Sequence, residues 1–210
     1  MNKILDIQIR INIDHRNAGM AMGALDALAS RNLQDKVGVY FGQIKPFTEA
    51  CSDVTGACLS NREFSELNLE LTKEAISRGF RSFPYPQLQI GGVCGADKRL
   101  NYVVSPDGFL FKCWAEASLG KDWSVGSLMQ IEANPVQSEA LQKFLSWDPL
   151  ASEQCQQCRL LPLCMGGCPH LRIRRNKEQD CSNWRYNLLE TLAIRYKLGL
   201  KTDHSSDKMV

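Results

Sequence analysis

The segment CQQCRLLPLCMGGC, residues 155–168, contains four of the nine cysteines of this 210-residue chain. Its spacing is C-x2-C-x5-C-x3-C, so four thiols lie within fourteen residues. The spacer at residues 165–167 contains two glycines, which permit a tight backbone turn. Because thiolates bind metals, this pattern predicts that the segment folds around a compact metal-containing group.

Three explanations exist for so many cysteines: disulfides, zinc or iron-sulfur clusters. Disulfides require an oxidising compartment, and the alternating first residues MNKILDIQIRINID do not resemble an export signal. Zinc sites favour paired C-x2-C knuckles, whereas this chain has a single C-x2-C. Iron-sulfur clusters accept thiolates that are distant in sequence. The cysteine pattern therefore favours iron-sulfur, with zinc as the alternative.

The composition is typical of a soluble globular protein, and we expect a cytoplasmic location. Hydrophobic residues make up 44% of the chain, enough for a core, and no apolar stretch predicts a membrane span. The formal net charge of +2 is too small to indicate a nucleic-acid partner. We interpret His170 and the basic residues Arg172, Arg174, Arg175 and Lys177 as parts of a solvated loop. The alternative for His170 is that it binds a cluster or donates a hydrogen bond to a cluster sulfide.

The first eighty residues alternate between strand and helix patterns. Residues 7–14 alternate apolar and polar side chains with a period of two, which predicts a strand. A helical pattern over residues 17–31 and a second strand over residues 37–44 complete a β-α-β unit. Ser60 and Glu63 form a capping-box signature, which predicts the start of a helix that ends at Gly79.

The rest of the chain reads as a linker, a hairpin and two helices. Residues 81–93 contain prolines and a Gly-Gly step, which predict a linker. Gly108 follows an aspartate at a predicted hairpin turn, which would bring Cys94 and Cys113 together. We expect helices over residues 138–147 and 183–198, followed by a disordered tail.

Seven cysteines and Gly108 follow the order C-x13-G-x4-C, then C-x2-C-x5-C-x3-C, then C. This order resembles the SPASM domain, the C-terminal module of radical S-adenosylmethionine enzymes that mature peptides. The resemblance implies two auxiliary [4Fe-4S] clusters. The ligands that it implies for the first cluster are Cys94, Cys113 and Cys168. Those that it implies for the second are Cys155, Cys158, Cys164 and Cys181.

The first implied cluster has only three ligands. Its fourth could be Cys51, Cys58 or a substrate atom, and the alternative for the two cysteines is that both are ordinary buried thiols. In the sulfatase-maturing branch of the family an aspartate follows the second cysteine, whereas Trp114 follows Cys113 here. Glu116 lies nearby but does not match that position. The branch is therefore not assigned.

The first segment resembles the last β/α units of the partial (β/α)6 barrel of the same enzymes, in which a strand of the form R-x-N-x-D precedes a helix. The matching residues are Arg10, Asn12 and Asp14. The resemblance implies that they line a cofactor or substrate cavity, because functional groups of barrels collect where strands end. The alternative is that Arg10 and Asp14 form a structural ion pair.

The expected fold is an α/β fragment of a partial β/α barrel followed by a small α+β, cysteine-rich, cluster-binding SPASM domain. We expect the barrel units over residues 1–82, the SPASM domain over residues 83–182, and a C-terminal helix and tail over residues 183–210.

The resemblance implies the C-terminal portion of a radical S-adenosylmethionine enzyme that modifies a peptide or protein. The C-x3-C-x2-C motif for cleavage of S-adenosylmethionine is absent. We therefore expect S-adenosylmethionine only in the complete enzyme, and no activity from this chain alone. Its partners would be the peptide or protein substrate and a separately encoded radical S-adenosylmethionine half. Two alternatives stay open: an iron-sulfur subunit that serves such a half, or a zinc-binding module without a redox role.

Overall fold

A computed structural model of the protein describes residues 6–47, 56–82, 94–129, 138–175 and 181–198. Its strands are β1 (Ile7–Ile13), β2 (Val37–Gln43), β3 (Val103–Val104), β4 (Phe109–Phe111) and β5 (Gly126–Ser127). Its helices are α1 (Ala21–Ala29), α2 (Asn61–Ser77), α3 (Trp114–Ala117), α4 (Glu139–Leu145), α5 (Glu153–Gln156), α6 (Leu161–Cys164), α7 (Pro169–Arg175) and α8 (Trp184–Lys197). None of the helices in these ranges is both long and apolar enough to span a bilayer.

The first unit is the predicted β-α-β unit. Strands β1 and β2 pair in parallel, with Ile7 opposite Val37 and Ile13 opposite Gln43. Helix α1 connects them and begins later than predicted, because a 3-10 turn over Ala18–Met20 precedes it. The apolar sides of the strands and helices form one buried cluster.

Helix α2 begins and ends at the predicted signals. The Ser60 hydroxyl accepts a hydrogen bond from the Glu63 N–H, and the Glu63 carboxylate accepts one from the Ser60 N–H. This pair satisfies two N–H groups that a helix start leaves open. Gly79 follows the helix with a φ of +87°, a conformation that glycine adopts without strain. Phe64 and Leu71 point into the first core.

The sheet continues at the start of the segment that was predicted to be a linker. Arg81 forms a parallel bridge with Gly38, and its carbonyl accepts a hydrogen bond of 2.9 Å from the Val39 N–H. Ser82 is fully buried beside it. The linker prediction is therefore wrong for these two residues, and residues 83–93 lie outside the described ranges. The partial-barrel origin of this unit stays a prediction.

The second sheet contains the predicted hairpin. Strands β3 and β4 pair antiparallel around Gly108, whose φ is +80°, and β5 adds to the other side of β4. Helix α4 forms as predicted and packs against α7 and the 3-10 turn Gly95–Asp97, where Phe144 is buried, whereas Phe111 is buried in β4 itself. This sheet positions the residues that precede and follow the hairpin.

Helix α8 packs against α2 in the first unit, through polar contacts. The Asn61 side-chain amide donates to the Cys181 carbonyl at 2.8 Å, and the Ser65 hydroxyl donates to the Asn183 carbonyl at 3.2 Å. In return, the Asn187 side-chain amide donates to the Ser65 carbonyl at 3.1 Å. The helix that the sequence set apart as a third unit therefore joins the cysteine-rich segment to the first one.

Candidate metal centre

The seven cysteines that were predicted as ligands lie at or near the ends of short helices and turns. Cys113 caps α3, Cys164 ends α6, and Cys168 directly precedes α7. The others lie before the 3-10 turn at Gly95–Asp97, within or just after α5, and before α8: Cys94, Cys155, Cys158 and Cys181. None of the described cysteines forms a disulfide, so all seven are thiols.

The thiol of Cys164 lies near three of the other predicted ligands. Burial raises its pKa, and the Gly166 N–H lowers it. Three further groups raise its pKa through their negative charge: Cys158, Cys155 and Cys181. Because such interactions weaken with distance, the four sulfur atoms share one neighbourhood. These four residues are the set implied for the second cluster.

The thiol of Cys113 lies near a different set. Burial raises its pKa to about 11, and the Ala115 N–H lowers it. Three further groups raise its pKa through their negative charge: Glu116, Cys168 and Cys94. The two cysteines among them complete the set implied for the first cluster. Cys168 therefore interacts with the residues at the hairpin, although it is close in sequence to Cys164.

A left-handed turn separates Cys164 from Cys168. The φ angles of Met165, Gly166 and Gly167 are +42°, +82° and +87°, so three successive residues adopt a conformation that suits glycine. A Cβ added at Gly166 would lie only 2.7 Å from a side-chain carbon of Pro149. The tight turn that the glycines predict is present. It reverses the chain between a member of one set and a member of the other.

Hydrogen-bond donors point at several of the sulfur atoms. The Ala96 N–H donates to the Cys94 sulfur at 3.4 Å, and the Arg185 guanidinium donates to the Cys181 sulfur at 3.5 Å. The bond to Cys181 raises the pKa of Arg185. Donors of this kind stabilise a thiolate more than a thiol, and thiolates are the form that binds metal.

The predicted ligands are all thiols, a donor type that both zinc and iron-sulfur clusters accept. Within the described residues, no three Cys, His, Asp or Glu side chains are close enough together to hold a metal ion. Zinc draws its thiolates to about 2.3 Å from one centre. In a cluster each thiolate binds its own iron, so the ligands surround a larger body and stand further apart. Two separate neighbourhoods of thiols with N–H donors are compatible with that larger body.

The interpretation of His170 as a solvated loop residue is wrong. Its ring is buried in the first turn of α7, and its Nδ1 lies 3.4 Å from a carboxylate oxygen of Glu116, which is also buried. Its Nε2 lies 2.9 Å from the Phe47 carbonyl. A carbonyl oxygen only accepts, so Nε2 carries a hydrogen. His170 therefore links α3, α7 and the residues that follow β2.

Three of the four adjacent basic residues lie in a helix instead of a loop. Arg172 lies in α7, and its Nε donates to the Gly166 carbonyl at 2.9 Å. Arg174 and Arg175 complete the same helix, and Lys177 lies outside the described ranges. Arg172 thus supports the glycine turn between the two sets of cysteines.

Arg10, Asn12 and Asp14 differ in their exposure to solvent. Arg10 and Asn12 are exposed on β1, whereas Asp14 is buried and forms a salt bridge of 2.6 Å with Arg16. The hydrogen bond from Arg16 holds the pKa of Asp14 below its usual value. The alternative of an Arg10–Asp14 ion pair is wrong. Strand β1 ends at Ile13, and the turn that follows brings Arg16 to the Asp14 carboxylate. A cofactor role for the three residues stays a prediction.

The fourth ligand of the first implied cluster is still open. Cys51 lies outside the described residues. Cys58 is half-buried in the segment before α2 and is not among the groups that raise the pKa of Cys113.

Three polar residues close in sequence to the first set of cysteines were not predicted to be buried: Lys112, Glu116 and His170. All three are buried. Each lies within three residues of a predicted ligand in sequence, and that proximity was the only signal that could have identified them.

The sequence matches no protein-family model, and neither a curated protein nor a solved structure matches it at a significant level. The relationship to SPASM proteins stays an expectation that rests on the cysteine pattern.

Proposed function

We propose that this chain is the C-terminal portion of a radical S-adenosylmethionine enzyme that modifies a peptide or protein, and that it binds two auxiliary [4Fe-4S] clusters. One observation carries the proposal. Cys113 and Cys164 each interact with a different set of thiols, and both sets agree with those that the family pattern implies. The assignment of Cys168 to the hairpin set is the most specific part of this agreement, because sequence proximity alone would place it with Cys164.

The chain's own residues would hold and tune the sites. Auxiliary clusters supply one-electron transfer or a point of attachment for substrate when bound. Burial opposes ionisation of Cys113 and Cys164, and a bound cation offsets this effect. The Arg185 guanidinium beside Cys181 adds positive charge at the second site, where four thiolates would otherwise repel one another.

The small sheet of the first unit supports the proposal that a partner supplies further β/α units. Among the described residues, β1 pairs only with β2, so its other edge carries no strand. Parallel sheets are almost always larger and covered on both faces. A preceding or separately encoded radical S-adenosylmethionine half would extend this sheet, and would also contribute the cluster that cleaves S-adenosylmethionine.

Anaerobic purification tests the cofactor. We expect a brown protein with about eight irons and eight labile sulfides per chain, as two cubane clusters require. Colourless protein with stoichiometric zinc would instead support the zinc-binding alternative and refute the proposal.

Single-cysteine variants test the two sets. We expect Cys181→Ala and Cys94→Ala each to retain about four irons, because each removes a ligand from one set only. The double variant should retain none. Equal loss of all iron from either single variant would contradict two separate sites.

Activity measurements separate the remaining alternatives. The purified chain alone should not cleave S-adenosylmethionine, and cleavage would contradict the assignment to a C-terminal portion. Restoration of cleavage by a separately encoded half would identify the chain as an iron-sulfur subunit.

A further inference from the structure

A buried lysine fastens the loop that follows Cys94 to the hairpin. Lys112 directly follows β4 and is only 3% exposed. Its ammonium donates to the carbonyl of Lys98 at 2.5 Å and to that of Asn101 at 2.6 Å. The ring of Tyr102 lies 4.5 Å from the same nitrogen. The Lys112 side chain therefore joins two points of the loop to the end of β4, one residue before Cys113.

The loop itself is tightly folded, so these two points determine where Cys94 lies. Cys94 caps the 3-10 turn Gly95–Asp97, with its sulfur accepting the Ala96 N–H. A Cβ added at Gly95 would lie 2.4 Å from the side-chain nitrogen of Asn101. The start and the end of the loop are thus packed against each other, and fixing the end also fixes the start.

Filling this buried space with a lysine costs more free energy than filling it with an apolar side chain. Burial of an ammonium costs free energy unless hydrogen bonds compensate it, and an apolar side chain of the same length would pack without that cost. An ammonium has three donors and no acceptor, which suits two converging carbonyl groups. The side chain is therefore suited to holding the loop, rather than to packing alone.

We propose that Lys112 is a positioning residue for the first cluster, because it holds the loop that carries Cys94 opposite Cys113. This inference rests on the proposed function. Lys112 acts on the loop through these two backbone carbonyls, and its ammonium also interacts electrostatically with Asp97 and with Cys94.

The test compares Lys112→Met with Lys143→Met. Both variants replace an ammonium with an apolar chain, but Lys143 is half-exposed and pairs with Glu139 on the surface of α4. After anaerobic reconstitution, we expect Lys143→Met to bind about eight irons and Lys112→Met about four, with one of two reduced-cluster EPR signals lost. Retention of the second cluster by Lys112→Met would show that the variant is still folded. Retention of both signals by Lys112→Met, or loss of both, would overturn the inference.

Hydrogen exchange of the metal-free chain separates this inference from the proposed function. The N–H groups of Ala96, Lys98 and Asn101 are bonded within the loop. Loss of hydrogen bonds of ordinary strength should speed their exchange by about tenfold in Lys112→Met, and Lys143→Met should leave it unchanged. If the wild-type chain binds no iron, the proposed function fails and the cluster role of Lys112 fails with it. If the wild-type chain binds both clusters but exchange in the loop is unchanged by Lys112→Met, the positioning role alone is overturned.

Discussion

Replacement of Asn187 with leucine is expected to stabilise the protein, although it removes a hydrogen bond. Asn187 is 3% exposed, and its amide nitrogen donates to the Ser65 carbonyl. Its amide oxygen has no hydrogen-bond partner among the described residues and almost no surface open to water. The side chain also lines a cleft of about 200 Å³ between α2 and α8, which leaves room for the methyl groups of leucine.

The expected magnitude follows from these contacts. Loss of the single hydrogen bond to Ser65 costs about 1 kcal/mol. Removal of a buried oxygen without a partner recovers about 2 kcal/mol. The difference favours Asn187→Leu by about 1 kcal/mol, before any gain from apolar burial. For a chain of this size, that corresponds to a rise in Tm of about 2–4 °C.

The assay is thermal unfolding followed by circular dichroism, with Asn61→Leu as the matched control. Asn61 makes an equivalent bond to the Cys181 carbonyl, but its substitution removes no buried oxygen that lacks a partner. We therefore expect Asn61→Leu to lower the free energy of unfolding by about 1 kcal/mol. A lower Tm for Asn187→Leu, or shifts of the same sign in both variants, would refute the reasoning.

Three further predictions concern stability, measured by urea unfolding. Because the hydrogen bond from Arg16 holds the pKa of Asp14 below its usual value, Asp14→Asn should destabilise the chain near neutral pH. Its difference from wild type should shrink as the pH falls through the lowered pKa. The exposed Asp35→Asn serves as control, and a constant difference would contradict this sign. Phe144→Ala should cost about 3–5 kcal/mol, since Phe144 is fully buried, and a cost below about 1 kcal/mol would exclude that packing. Ser60→Ala should cost about 1 kcal/mol through loss of the helix cap, whereas Ser77→Ala on the exposed end of α2 should cost less; equal costs would rule out the capping role.

The elements that the sequence predicted correctly depend on local signals. The alternation in residues 7–14 predicted β1, which ends one residue earlier at Ile13, because side chains of a strand point to opposite faces in turn. The Ser60–Glu63 pair predicted the start of α2, and Gly108 predicted the hairpin turn. Each of these signals lies within a few residues, so no knowledge of tertiary contacts was needed.

The polar partners were harder to predict because most depend on distant segments. His170 follows a cysteine and a proline, which suggested a loop, yet its partners are Glu116 and the Phe47 carbonyl from other parts of the chain. Asp14 is a different case. Its partner Arg16 is two residues away, but the alternation along the strand places Arg10 on the same face as Asp14 and so favoured Arg10.

The face of α8 that is buried could not be predicted from its apolar pattern. The sequence places Leu189 and Tyr196 at helical spacing with other apolar residues, a pattern that is typical of the buried side of a helix. In the structure these two side chains are 77% and 88% exposed, and Asn187 is buried instead. Helical spacing identifies a stripe along a helix, but the neighbouring helix decides which stripe is covered. Here α2 presents polar side chains, so α8 turns its polar side towards it.

The polar contact between α2 and α8 limits how this protein could be recombined. The three hydrogen bonds described between α2 and residues 181–187 end on main-chain oxygens, so a slip of one residue along either segment would break them together. One of those oxygens belongs to Cys181 itself. The cysteine-rich segment therefore depends on α2. If the segment were grafted onto another protein without α2, it would lose the hydrogen bond from Asn61 that positions Cys181.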